Sequence, residues 1–97
     1  MHKPIYLTEH CKVRMQQRGV PEKVIHFLRE HGKSINTHND KKFFCNKKII
    51  NKLEYKKETR DFVRKFKKYL LSTAIVCNGN SCITVMKLYE NKRMRWN

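Results

Sequence analysis

Acidic side chains are scarce in this sequence. Eight Asp and Glu stand against 23 Lys and Arg among 97 residues, a formal net charge of +15. So few carboxylates argue against a hydrolase built on a carboxylate pair. Glycine and proline are also sparse, at three and two residues, which excludes a collagen-like chain and argues against disorder. No apolar run approaches the ~20 residues needed to cross a bilayer. No apolar stretch of signal-peptide length follows Met1-His2-Lys3-Pro4. These absences predict a soluble, cytoplasmic protein with no membrane association. None of Cys11, Cys45, Cys77 and Cys82 forms a CxxC pair, so a zinc site has little support, and without a secretion signal a disulfide framework is not expected. There is no Gly-rich phosphate loop and no nucleophile elbow. His2, His26, His31 and His38 lack metal-type spacing and read as structural or surface residues. The expectation is therefore no metal and no cofactor.

What is present is one short chain, residues 1–97, of single-domain length. Its charge is uneven. Basic residues outnumber acidic ones by twelve to three in 41–69, against seven to four in 1–40 and four to one in 70–97. The basic segment 41–69 reads as an insertion between a helical part and a hairpin part. Self-repulsion of this size is usually offset by an anionic partner, although solubility alone is the plainer explanation.

Local signals predict an α+β fold. Thr8 is suited to cap a helix over Glu9–Arg18, which Gly19 ends. Val20-Pro21 starts a second helix with an apolar face of Val24, Ile25, Phe27 and Leu28, ended by Gly32. Residues 33–45 read as a hairpin turning at Asn39-Asp40. Asn46 caps a third helix to about Lys57, with Ile49, Ile50 and Leu53 inward. Glu58–Lys68 is either further helix or a basic connector. Tyr69–Cys77 and Ser81–Leu88 read as strands joined at Asn78-Gly79-Asn80, closing a small antiparallel sheet. A two-residue turn at Gly79-Asn80 sets Cys77 opposite Cys82, Val76 opposite Ile83, Ile75 opposite Thr84 and Ala74 opposite Val85. The two facing thiols are first read as small buried hydrophobes. Both faces of this strand pair are mainly apolar, which predicts a central place in the sheet.

Two groups of residues point to chemistry. His10, Arg14 and Arg18, spaced four apart, form one stripe of the first helix beside Cys11 and Met15. An imidazole next to two guanidiniums suits an RNA phosphodiester, because Arg grips phosphate with paired bonds. A solvated face with a partly buried His explains the same stripe equally well. Further along, Lys47, Lys48, Arg64, Lys65, Lys67 and Lys68 interleave with Phe43, Phe44, Tyr55, Phe62, Phe66 and Tyr69. Any of these rings left exposed can stack on bases while the cations hold phosphate. Arg93 and Arg95 add charge in the tail. The block equally suits docking of an acidic protein.

The run from Leu7 to Pro21, with His10, Arg14 and then Arg18-Gly19-Val20, resembles the opening of the bacterial family designated domain of unknown function 4258. Phe43-Phe44-Cys45-Asn46-Lys47-Lys48 is similar to that family's passage from strand to helix, and Cys82-Ile83-Thr84-Val85 to its closing strand. The resemblance implies an α+β layout shared with ribonuclease toxins of the barnase, colicin and RelE type. It implies a site of His10, Arg14, Arg18 and Thr84, and an acidic antitoxin as protein partner. The chain departs from the pattern in the length of Lys56–Lys68. It departs again at Lys87-Leu88-Tyr89, where some members of that family carry His or Arg.

Three functions follow as expectations. The first is a metal-independent endoribonuclease with His10 as general base or acid and Arg14 and Arg18 stabilising the phosphorane. The second is a non-catalytic module for RNA, or for DNA. The third is an interaction domain for an acidic partner.

Overall fold

The computed structural model describes residues 5–88. His2 and the tail residues Lys92, Arg93, Arg95 and Trp96 lie outside them. The fold is α+β, with four helices and one five-stranded sheet among the described residues.

The first helix, α1 (Glu9–Arg18), is set by its caps. The Thr8 hydroxyl accepts from the Cys11 N–H at 3.1 Å, and Gly19 turns the chain with a left-handed φ of 65°. The Gly19 and Val20 amides then donate to the Gln16 and Met15 carbonyls, a Schellman closure that takes up two orphan acceptors. Helix α2 (Glu22–His31) follows and buries Val24, Ile25, Phe27 and Leu28. At Gly32 the chain passes so close to β-structure that an added Cβ would lie 2.6 Å from the Leu28 carbonyl oxygen and 3.0 Å from that of Phe44.

Strands β2 (Lys33–Asn36) and β3 (Lys41–Phe44) form the expected hairpin. Asn46 accepts from the Ile49 N–H at 2.9 Å and starts α3 (Lys47–Tyr55), which buries Ile50 and Leu53. Lys56 is extended and breaks the helix. The chain re-enters helix as α4 (Lys57–Ser72), kinked at Phe66. Glu58–Lys68 is therefore helix, not a connector. Within the basic segment, β3 pairs with the central strand of the sheet, and Val63 of α4 is fully buried in the core.

Two expectations are corrected at the C-terminal hairpin. Tyr69–Ser72 is the end of α4, and β4 begins only at Thr73 (Thr73–Asn78). Leu70, two helical turns beyond Val63, drops into the same core and holds the chain helical past the first β-favouring residues. Strand β5 (Ser81–Lys87) pairs Cys77 with Cys82 as expected. A bulge beyond that pair then moves the register by one, so Val76 meets Thr84, Ile75 meets Val85 and Ala74 meets Met86.

The sheet order is β1-β5-β4-β3-β2, with β4 central. Its edge strand, β1 (Tyr6–Leu7), runs parallel to β5, so the sheet is mixed and not purely antiparallel. Phe43, Ile75, Cys77, Cys82 and Val85 face the helices and join the core. Val76, Thr84 and Met86 lie on the opposite, half-exposed face.

Candidate nucleic-acid interface

Helix α1 packs chiefly on β5 and presents His10, Arg14 and Arg18 along one line. His10 is exposed and forms no hydrogen bond among the described residues. Arg14 and Arg18 are half-buried. Arg14 donates to Gln17 Oε1 at 3.3 Å, and the Nε atoms of both arginines are shielded without a partner among the described residues. Cys11, one residue along, is fully buried against Cys82. Thr84 is not brought to this stripe; it pairs with Val76 on the far face of the sheet. Neither of the two main cavities among the described residues reaches His10. Arg93 and Arg95 lie outside the described residues.

The second group is brought together more fully. Helices α3 and α4 pack on each other as a helical hairpin, and Lys47, Lys48, Arg64, Lys65, Lys67 and Lys68 are all exposed on it. Burial sorts the interleaved rings. Phe43 belongs to the core. Phe62 stacks on Phe27 at 4.4 Å between centroids and 6° between planes, and Phe66 leans on Phe62. Tyr55 is left 86% exposed at the end of α3.

The surroundings of Tyr55 were not singled out by spacing. Arg60 donates from Nε to the Glu54 carbonyl at 3.3 Å and from Nη2 to the Tyr55 carbonyl at 3.4 Å. A guanidinium thus takes up carbonyls at the negative end of α3. The Thr59 hydroxyl, buried, donates to the Leu53 carbonyl and ties the two helices at their junction. Glu54 accepts from Lys67 Nζ at 3.1 Å and from Arg64 Nε at 3.4 Å. Those bonds, Lys67 first, hold its carboxyl below the usual carboxylate range. Asn51, Glu54, Tyr55, Arg60 and Arg64 line an open recess of about 360 Å³. A ring, two guanidiniums, an amide and nearby lysines around one shallow opening can stack a flat base and hold its phosphates. The residue types gave a hint of this, but which of the six rings stay exposed, Tyr55 and to a lesser degree Tyr69, follows only from packing.

No described helix is long and apolar enough to cross a membrane. No group of metal-ligating side chains gathers among the described residues. Comparisons with protein-family models, curated proteins and solved structures find no match.

Proposed function

We propose that this protein binds RNA through the α3–α4 hairpin. The observation that carries the reading is the exposed Tyr55 ring set among Asn51, Arg60 and Arg64 on a lysine-rich helical pair. Tyr55 stacks on a base, and Arg64 with the lysines of both helices holds the flanking phosphates. Because each neutralised phosphate releases counterions, affinity falls with salt at about 0.7 logarithmic units per contact on a single strand. Fluorescence anisotropy with a labelled single-stranded RNA tests this across a salt series. Tyr55→Ala is expected to cost about 1–3 kcal/mol of stacking, roughly five- to 150-fold in affinity. Changing Lys65, Lys67 and Lys68 together to Glu is expected to abolish binding. Protein that fails to bind RNA even at low salt overturns the proposal and leaves an acidic protein as the partner.

A second reading adds cleavage at α1. It is favoured by one observation: His10 stands exposed and unengaged in line with Arg14 and Arg18, whose Nε atoms have no partner among the described residues. In this reading His10 takes the proton of a ribose 2′-hydroxyl as it attacks the adjacent phosphorus, and the arginines hold the charged phosphorane. The resemblance to toxin-like relatives belongs to this reading, with an acidic antitoxin as partner. His10→Ala should then abolish cleavage and leave binding intact; cleavage that survives the substitution removes His10 from the mechanism.

A further inference from the structure

One cavity lies away from both basic groups. It holds about 610 Å³ between the tips of the β2–β3 and β4–β5 hairpins. Cys77 and Arg29 form part of its wall. The Arg29 guanidinium is well fixed: Nη2 donates to the Gly79 carbonyl at 3.1 Å and to Asn80 Oδ1 at 3.2 Å, and Cζ sits 5.1 Å above the Phe43 ring. Its Nε is shielded from solvent with no hydrogen-bond partner among the described residues.

Behind Cys77 the thiols gather. All four cysteines are free and buried. Cys82 is the direct cross-strand partner of Cys77. The Cys82 carbonyl accepts from the Thr8 N–H at 3.1 Å. It therefore points towards β1, and Cys77–Cys82 is a non-hydrogen-bonded pair of the β4–β5 ladder. Such pairs bring Cα atoms to about 4.5 Å, inside the range a disulfide spans. Cys11 Sγ lies 3.3 Å from Cys82 Sγ on the other side.

We propose that Cys77 and Cys82 are an oxidisable dithiol, with Cys77 reacting with a hydroperoxide admitted through the Arg29 cavity and Cys82 closing the disulfide. The Cys77 thiolate attacks the outer oxygen of the hydroperoxide. The O–O bond breaks, the alkoxide or hydroxide leaves and takes a proton from solvent, and Cys77 becomes a sulfenic acid. Cys82 sulfur then attacks Cys77 sulfur. The S–S bond forms, the S–O bond breaks, and hydroxide leaves with the Cys82 proton as water. Two thiols lose two electrons, and one hydroperoxide gains them.

The environment divides the roles. A hydrogen bond from Cys82 and the positive charge of Arg29 hold the Cys77 thiol below its ordinary value, against burial and the Asp40 carboxylate, which push it upward. The same bond and burial push Cys82 upward, and burial pushes Cys11 upward. Cys77 is thus the nucleophile. Its oxidation removes the negative charge that keeps the proton on Cys82, which frees Cys82 to resolve.

Trypsin makes the test direct. No Lys or Arg separates Tyr69 from Lys87, whereas Cys11 lies in the peptide ending at Lys12. The reduced full chain is treated with hydrogen peroxide, alkylated and digested. The expected product is an uncross-linked 69–87 peptide lighter by two hydrogens, formed at least tenfold faster in the native protein than in urea. Cys82→Ser should leave a dimedone-reactive sulfenic acid on Cys77. A first product that joins the Cys11 peptide to 69–87 overturns the proposal. So does a native rate no faster than the unfolded one.

Discussion

Removing the acid beside Tyr55 should strengthen RNA binding. Glu54 is 27% exposed and pairs with Lys67, 46% exposed, and Arg64, 63% exposed. Pairs this wet contribute about 0–1 kcal/mol to folding, so Glu54→Gln should shift the urea midpoint little. At the interface the same change acts with one sign. It deletes a negative charge close to any bound phosphate and frees two cations. One unit charge about 8 Å from another is worth about 0.5 kcal/mol in water. Summed over two or three neighbouring phosphates and screened over about 10 Å at 0.1 M salt, the gain is about 0.6 kcal/mol. We expect roughly threefold tighter binding at low salt and a salt slope steeper by about one unit. Because the Lys67 and Arg64 bonds hold the Glu54 carboxyl below the usual range, it stays charged at neutral pH. The difference between the two proteins closes only as pH falls through that lowered value. Anisotropy at several salt concentrations reads all of this. A variant that folds normally but binds RNA no better, or worse, would show that the Tyr55 recess is not where the phosphates lie.

Three stability measurements test other parts of the reading. Gly19 has the left-handed φ, yet nothing lies within 4 Å of an added Cβ; Gly19→Ala should cost about 1 kcal/mol of conformational strain. Gly32→Ala should cost more, about 2–3 kcal/mol, because its Cβ would press on two backbone carbonyls; urea denaturation that ranks them the other way refutes this packing. Asn46→Ala should lose about 1 kcal/mol by the same assay, since the amide caps α3. The buried Cys45 thiol is pushed from 9.0 to about 11 by desolvation. It keeps its proton in the folded chain while the unfolded chain loses it, so its contribution is full below pH 9 and fades as pH rises towards 11. The stability advantage of wild type over Cys45→Ala should shrink by about 1 kcal/mol between pH 8 and pH 10; an advantage that grows would reverse the assignment.

The parts of the fold legible beforehand are those written in neighbouring residues. Thr8, Gly19, Gly32 and Asn46 each mark a helix end through bonds within a few positions, and the helices begin and end beside them. What escaped is decided at a distance. Strand β1 has two residues and exists because the Tyr6 and Thr8 amides reach the Asn80 and Cys82 carbonyls. Leu70 to Ile75 is rich in strand formers, but its first residues stay helical because Leu70 completes the core. The bulge that moved Thr84 out of its expected pairing depends on how β5 bends between β1 and β4. The interface divides in the same way. Exposed lysines were readable from their spacing, whereas the sorting of the rings is decided by packing: Phe62 stacks on Phe27, and Tyr55 is left exposed at the end of α3.

The two readings make unequal demands on this architecture. Binding needs many accessible cations, and the α3–α4 hairpin carries exposed Lys47, Lys48, Arg64, Lys65, Lys67 and Lys68 with a ring at the end of α3. Cleavage by transfer from the 2′-hydroxyl needs one proton removed and one delivered to the leaving oxygen. Along α1 there is a single imidazole, two fixed cations and no carboxylate bonded to His10 among the described residues; Glu9, its neighbour in sequence, sits a turn away from Arg14. Thr84, the other group the family resemblance suggested, is on the wrong face of the sheet. The same imidazole, or water, would have to complete the second transfer. Such a site gains from phosphorane stabilisation and one proton transfer but not from a paired acid, which forfeits about 10²–10⁴ in rate. Slow cleavage abolished by His10→Ala, alongside tight binding abolished only at the hairpin, is the pattern this geometry allows.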